Sequence, residues 1–98
     1  MILTFSPQLR NDTLTLAKQG DLLTINGVAV DLSPLLNGYR LPSDECRNGH
    51  EFLLTAERSE VGELGVTVLL PHGSNASEAV RFPSPINNPA DGVIEVPV

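Results

Sequence analysis

Residues 44–50 carry the side chains that come closest to a reactive cluster in this sequence. Cys46 could act as a thiol nucleophile, and His50, four positions later, could act as its base. Catalytic Cys–His pairs meet across a fold, so a short spacing along the chain does not indicate one. No Gly-x-Ser-x-Gly sequence marks a serine nucleophile. The sequence therefore predicts a structural thiol at Cys46 and no enzyme activity; the alternative is an enzyme centred on Cys46 or His72.

The same segment could in principle supply mixed metal ligands, because Asp44 and Glu45 directly precede Cys46. A structural zinc site usually takes four Cys or His ligands in paired spacings. This chain has one Cys and two His. A capped polar turn explains the same residues, with Ser43 as its N-cap and Gly49 closing it. We therefore expect no metal site and no cofactor.

Four residues in and after the loop that follows the most apolar segment form the predicted functional surface. They are His72, Asn75, Arg81 and Phe82. Residues 71–77 indicate a polar loop leaving a strand end, where binding residues concentrate. Arg and Phe together are a frequent contact pair in protein interfaces. The alternative is that His72 is a plain loop residue, that Phe82 fills the core, and that Arg81 lies on a solvated strand face.

The composition narrows the class of partner. Twelve acidic and six basic residues give the 98-residue chain a formal charge of −6, and the acidic excess lies between residues 44 and 63. Nucleic-acid binding needs Lys and Arg to displace counterions, so we expect no nucleic-acid partner. The single cysteine excludes an intrachain disulfide. No segment has the pattern of a signal peptide or a membrane span, so we expect no membrane partner.

Residues 13–32 predict a three-stranded antiparallel meander. Leu14 and Leu16 alternate with polar residues over 13–18, and residues 22–25 and 28–32 continue the alternation, with Val28, Val30 and Leu32 on one face. Gly20 lies in the first turn. Asn26 and Gly27 are the strongest short hairpin signal, because both accept the left-handed backbone of a type I′ turn.

The rest of the chain predicts further strands. The first predicted strand, Met1 to Phe5, ends at Ser6 and Pro7. A second hairpin joins residues 51–57 to the interior strand 64–70, which Pro71 terminates. In residues 51–57 we expect the face shared by three side chains to be buried: Phe52, Leu54 and Ala56.

The C-terminal part is predicted to be mostly extended. Residues 79–82 are a short extended piece, and residues 83–98 form a Pro-rich segment that carries one edge strand at 93–96. Short strands with turn signals between them predict one all-β domain over residues 1–98. Its fold is a small antiparallel sandwich or barrel-like domain built from hairpins, with at most one short helical turn, at residues 43–46.

Two segments together resemble a group of small acidic proteins encoded near the tail genes of bacteriophages and prophages. The first reads LTLAKQGDLLTING over residues 14–27 and continues with DLSPL at 31–35. The second reads VLLPHGSNA over 68–76 and continues with RFPSPI at 81–86. The chain lacks the tryptophan that this group carries near the strand starting at Glu51. The group has no established activity, so the resemblance implies a context and assigns no residue a role.

These observations lead to two functional hypotheses. The first is a non-enzymatic phage structural or tail-assembly protein that works through protein–protein contacts in the bacterial host cytoplasm, with a place in the virion compatible with that role. A homo-oligomer would complete the modest core of so short a chain. The alternative is a small β binding module for a host ligand such as a surface glycan, whose aromatic contacts could come only from four side chains: Phe5, Tyr39, Phe52 and Phe82.

Overall fold

The computed structural model describes residues 1–98, apart from the side chains of Arg47 and Asn48, and contains two β-sheets. The strands are β1 (Ile2–Leu9), β2 (Leu16–Gln19), β3 (Leu22–Ile25), β4 (Val28–Asp31), β5 (Arg40–Leu41), β6 (Leu53–Arg58), β7 (Leu64–His72), β8 (Ile86–Asn87) and β9 (Gly92–Ile94). Two short helices are α1 (Ser43–Gly49) and α2 (Glu78–Arg81). One sheet has the order β5-β6-β7-β1-β8 and the other β4-β3-β2-β9. This confirms the predicted all-β fold.

The meander forms as its turn residues predict. β2, β3 and β4 pair antiparallel in sequence order. Asn26 has a φ of 49° and Gly27 a φ of 81°, the left-handed values that a type I′ turn needs. Two details differ: the first strand begins at Leu16, and Val28 is 47% exposed although Val30 and Leu32, which were expected to share its face, are buried. Val28 directly follows the turn at Asn26 and Gly27, at the end of the edge strand β4.

Both prolines that were predicted to end strands lie within them. The amide of Arg10 donates to the carbonyl of His72. Because backbone N–H and C=O groups alternate in direction along a strand, those of the even-numbered residues of β1 and β7 point toward each other. The nitrogen of Pro7 therefore faces away from β7, on a side where β8 pairs only with the start of β1. The nitrogen of Pro71 faces past the first residue of β6. Neither proline costs a ladder hydrogen bond, so the strands continue.

The pairing of β1 with β7 is parallel, which the hairpin pattern did not predict. The ladder runs from Ile2 opposite Gly65 to Leu9 opposite His72. A parallel pair needs a long crossover connection, and here residues 10–63 provide it, with the whole meander inside. As predicted, β7 is an interior strand.

A β-bulge changes which residues of β6 are buried. The pairing with β7 shifts register between Leu53 and Thr55. Phe52, Leu53 and Ala56 are buried, whereas Leu54 is half-buried. The predicted burial is therefore confirmed for Phe52 and Ala56 and wrong for Leu54, because the extra residue of the bulge interrupts the alternation and buries Leu53 instead.

The helical turns also differ in part from prediction. α1 forms where one was expected, but Pro42 is its N-cap, and no side chain caps it. α2 forms at residues 78–81, where the sequence predicted an extended piece, so the chain has a second helical turn. With seven and four residues, no helix in the described chain is long enough to cross a membrane.

Residues 83–98 contribute two edge strands and otherwise follow no regular element. β8 pairs with the start of β1, and β9 pairs with β2, which places Ile94 in the core. The predicted edge strand at 93–96 therefore exists, one residue earlier and shorter.

The two sheets share one hydrophobic core and are joined by one arginine. Leu3, Val66 and Val68 of the larger sheet pack in the same cluster as Leu23 and Ile25 of the smaller sheet. The side chain of Arg58, in β6 of the larger sheet, is 11% exposed and makes hydrogen bonds to residues next to the strands of the smaller sheet. Its donors reach the carbonyl oxygens of Leu35 at 2.6 Å, Leu32 at 3.2 Å and Gly62 at 3.3 Å, and a carboxylate oxygen of Asp21 at 3.1 Å.

Candidate functional site

Cys46 and His50 each make a structural contact. The Cys46 side chain is fully buried, and its thiol donates to the carbonyl of Leu41 at 3.7 Å. Burial raises the pKa of this thiol, which disfavours the nucleophilic thiolate. His50 accepts from the amide of Phe52 through Nδ1 at 3.0 Å and packs edge-on against the Phe52 ring. Each side chain is thus occupied by a structural contact.

The acidic residues beside Cys46 are exposed to solvent. Asp44 and Glu45 are exposed in the first turn of α1, where their negative charges interact favourably with the positive end of the helix dipole. Among the side chains that the structure describes, no three His, Cys, Asp or Glu come close enough to hold a metal ion.

His72 and Asn75 lie at the end of β7 and in the loop that follows it. The half-buried His72 is the final residue of that strand. Its Nδ1 is 2.8 Å from the carbonyl oxygen of Gly73, which can only accept, so Nδ1 carries the proton. Asn75 is exposed in the following loop. This arrangement leaves Nε2 of His72 as the ring nitrogen not involved in that bond.

Arg81 and Phe82 are held by the small helix α2. Ser77 caps the helix, because its hydroxyl accepts from the amide of Val80 at 3.4 Å, and the buried Val80 side chain anchors the turn to the core. The amide of Phe82 closes the helix on the carbonyl of Glu78 at 2.8 Å. The Phe82 ring is 76% exposed, and the guanidinium carbon of Arg81 lies 5.7 Å from its centroid.

A groove opens beside the Phe82 ring. Its volume is about 420 Å³. We call it the Phe82 groove; its lining residues are Ala79, Phe82, Ser84, Ile86, Glu95, Val96, Pro97 and Val98. The Ser77 hydroxyl donates to the carbonyl of Val98 at 2.9 Å, which ties residues 95–98 to α2. Most of the lining is apolar, and Val98 is 90% exposed.

The four predicted surface residues therefore fall into two places. Phe82 lines the groove, and Arg81 lies against the Phe82 ring without lining the groove itself. His72 and Asn75 are not among its lining residues, and the loop between them borders a different hollow with Leu9 and Arg10. Sequence reasoning missed Ile86 and Val96, two further apolar lining residues of the groove. They reach it because β8 pairs with β1 and β9 with β2, and neither pairing leaves a local signal in the sequence.

Another hollow lies on the larger sheet, across β5, β6, β7 and β1, and we call it the Tyr39 depression. Its volume is about 380 Å³, and its lining residues are Ile2, Gly38, Tyr39, Arg40, Glu57, Arg58, Ser59, Glu63 and Gly65. Four of these are direct neighbours across the sheet, because Arg40 pairs with Glu57, Glu57 with Gly65, and Gly65 with Ile2. The Tyr39 side chain is 62% exposed.

Comparisons of the chain with family models, with curated proteins and with solved structures give no match. The Phe82 groove and the Tyr39 depression are therefore judged by their own chemistry.

Proposed function

We propose that this chain is a non-enzymatic structural or tail-assembly protein of a phage or prophage, which acts through protein–protein contacts at the Phe82 groove. The observation that carries the proposal is the exposed Phe82 ring beside an apolar groove, with Arg81 stacked over it. An aromatic side chain and an arginine, side by side, are the residue types that dominate binding energy in protein interfaces.

The groove is rigid enough to serve as a docking surface. Ser77 caps α2, Val80 anchors it, and the Ser77 hydroxyl also fixes Val98. The contact with Phe82 restricts the rotamers of Arg81 before a partner arrives. Pre-ordered side chains lose less conformational entropy on binding, so more of the contact energy appears as affinity.

The phage context comes from the resemblance of residues 14–35 and 68–86 to small acidic tail-associated proteins. The second of these segments ends with RFPSPI at 81–86, which contains Arg81 and Phe82, so the residues that carry the resemblance overlap the proposed docking surface. The site of action that follows is the bacterial host cytoplasm, with incorporation into the virion as the tail is completed. The net charge of −6 favours a partner with a basic surface.

Binding to tail particles tests the proposal. Purified protein is co-sedimented with purified tails, and Phe82→Ser is compared with Tyr39→Ser, a matched change of an exposed aromatic residue outside the groove. We expect Phe82→Ser to weaken binding at least about tenfold, since hot-spot truncations cost about 2 kcal/mol or more. Tyr39→Ser should bind like the wild type. Equal binding by all three proteins, or no binding by the wild type, would contradict the proposal.

Oligomerisation through the same groove has its own test. The mass in solution, from size-exclusion chromatography with light scattering, is compared for the wild type and Phe82→Ser. A wild-type dimer or ring that becomes monomeric in Phe82→Ser would identify a second copy as the occupant of the groove. A monomer in both cases directs the search to a different tail protein.

The placement of His72 and Asn75 outside the groove gives a further distinction. Substituting both by alanine should leave tail binding within about twofold of the wild type, as for residues at the rim of an interface. A larger loss would mean that the docking surface extends from α2 to the end of β7.

A further inference from the structure

Gly65 is a glycine that neither backbone geometry nor packing requires. It lies in β7, the central strand of the larger sheet, and its φ is outside the left-handed region that favours glycine. A Cβ built at this position would meet only the Cγ of Glu57, at 3.8 Å, which is an ordinary contact. Glycine is a poor strand residue, and in a strand interior it often marks a place where a ligand approaches the backbone closely.

The missing side chain forms the floor of the Tyr39 depression. Residues paired across a sheet project to the same face, so the side chains of Glu57 and Ile2 stand on either side of Gly65. Arg40 continues the row beyond Glu57. The next residues along each strand on the core face, Val66 and Leu3, are buried, so the row with Gly65 belongs to the outward face.

The rim of the depression supplies an aromatic ring and a paired donor and acceptor. Tyr39 directly precedes β5 and is mostly exposed. The Nε of Arg40 is 3.9 Å from a carboxylate oxygen of Glu57, and both side chains are more than half exposed, so each keeps hydrogen-bonding capacity for a ligand. Of the four aromatic side chains, Phe5 and Phe52 are buried, which leaves Tyr39 and Phe82 for stacking.

We propose that the Tyr39 depression binds a neutral pyranose sugar over Gly65. The apolar C–H face of the sugar ring stacks on Tyr39. The guanidinium of Arg40 donates to one hydroxyl group, and the carboxylate of Glu57 accepts from the adjacent one. A vicinal diol matches this neighbouring donor and acceptor, and the absence of a side chain at Gly65 gives the sugar ring its space.

The charges of the depression favour a neutral sugar. Glu57 and Glu63 are balanced by Arg40 and Arg58 among the lining residues, so the site has no excess of positive charge to attract an anion. The net charge of −6 on the whole chain disfavours an acidic or phosphorylated sugar. The site shares no lining residue with the Phe82 groove, so it is independent of the proposed assembly function.

An NMR titration tests the sugar site directly. Isotope-labelled protein is titrated with the methyl glycosides of glucose, galactose and mannose, and with a methyl sialoside as the acidic comparison. We expect saturable shifts of the Tyr39, Glu57 and Gly65 amide signals with at least one neutral glycoside, and none with the sialoside. No saturable shift at these residues with any of the three neutral sugars would overturn the proposal. So would tighter binding of the sialoside.

Two variants separate the roles of the ring and the floor. Tyr39→Ala should weaken sugar binding by about tenfold, because stacking is lost. Gly65→Val should also abolish the shifts, because its side chain fills the floor. Thr67→Val is the matched control, since Thr67 lies two positions further on the same face of β7 and outside the depression. Binding that survives Tyr39→Ala in the folded protein would overturn the assignment, even if Gly65→Val should fail to fold.

The site and the assembly function fail separately. Phe82→Ser should leave the sugar shifts unchanged while tail binding falls. If Phe82→Ser removed sugar binding and Tyr39→Ala did not, the sugar would lie in the Phe82 groove, and the assignment of the Tyr39 depression would be wrong.

Discussion

The meander of the smaller sheet and the β1–β7 pair of the larger sheet are built from opposite kinds of contact. In the smaller sheet, β2, β3 and β4 join residues between 3 and 9 positions apart, through two tight turns. In the larger sheet, each residue of β1 pairs with the residue 63 positions later in β7. Local pairs cost little loop-closure entropy, whereas distant pairs must wait until most of the chain is arranged. The meander is therefore suited to nucleate the fold, and the β1–β7 pair to complete it.

The difference also separates framework from function. Both hollows with ligand-like chemistry depend on the distant pairs: the Tyr39 depression spans β5, β6, β7 and β1, and the Phe82 groove needs β8 beside β1. The meander, by contrast, contributes turns and one face of the core. Both candidate sites therefore assemble only after the larger sheet has closed.

The largest expected effect tests the shared core and the order of assembly. Leu3→Ala in the larger sheet and Leu23→Ala in the smaller one each remove a fully buried side chain. Each should lower the free energy of unfolding by about 3 kcal/mol. Because the meander forms early, Leu23→Ala should mainly slow folding, and Leu3→Ala should mainly speed unfolding.

Urea-induced unfolding at equilibrium and in stopped-flow experiments measures both quantities. Leu9→Ala, a change on the same strand as Leu3 at a residue that is 69% exposed, is the control and should change stability by less than about 0.5 kcal/mol. If Leu3→Ala slowed folding as much as Leu23→Ala, the sheets would form together, and the proposed order would be wrong.

The next effect concerns the arginine that joins the sheets. Arg58→Met keeps the length of the side chain but removes the donors to Leu32, Leu35 and Asp21. We expect a loss of about 2–3 kcal/mol, because nearly buried carbonyl groups lose their partner. Thermal and urea unfolding check this value. Arg40→Met is the control: its ion pair is long and exposed, so the change should cost about 0–1 kcal/mol.

A smaller effect should follow from the turn of the meander. Gly27→Ala places a Cβ at a φ of 81° and should cost about 1 kcal/mol, although no atom lies within 4 Å of the added methyl group. Gly73→Ala also meets nothing within 4 Å, but its φ is not left-handed, so it should be neutral or slightly stabilising. Equal unfolding midpoints for the two variants would show that backbone strain at Gly27 does not fix the register.

The contrast between the sheets also explains what the sequence could predict. The meander followed from Asn26 and Gly27, whose conformational preference is local and independent of the rest of the fold. The ends of β1 and β7 did not, because the cost of Pro7 and Pro71 depends on which neighbour each nitrogen faces. The parallel pairing leaves no turn between its strands.

The candidate sites show the same division. Arg81 and Phe82 could be selected from the sequence as adjacent residues of interface type. The helix that holds them had a local signal, with Ser77 as its cap and Glu78 in its first turn, but four residues are too few for a periodic pattern. The positions of Ile86 and Val96 in the groove, and the row that holds Gly65, exist only through strand pairings that no local pattern encodes.

The smallest expected effect lies where the chain returns to the smaller sheet. A carboxylate oxygen of Asp91 accepts from the Lys18 ammonium at 2.7 Å and from the amide of Gly20 at 3.1 Å, which ties the start of β9 to the first turn of the meander. The hydrogen bond from Lys18, and then that from Gly20, hold the pKa of Asp91 below its ordinary value of 3.8. A lowered pKa means that this tie contributes above pH 3.8 and is lost as the pH falls through the folded-state pKa.

Asp91→Asn should therefore loosen β9 at neutral pH and leave the rest of the fold intact, because the group is exposed and its contribution is screened. Amide hydrogen exchange should become faster at Gly20 and in β9, with little change in β3. Below the folded-state pKa of Asp91 the wild type should exchange at these amides as fast as the variant. Glu60→Gln, in an exposed turn of the larger sheet, should exchange like the wild type at every pH. If exchange in β9 is unchanged in Asp91→Asn, the pairing with β2 and the burial of Ile94 hold the strand without the carboxylate, and its attachment depends on the core that both sheets share.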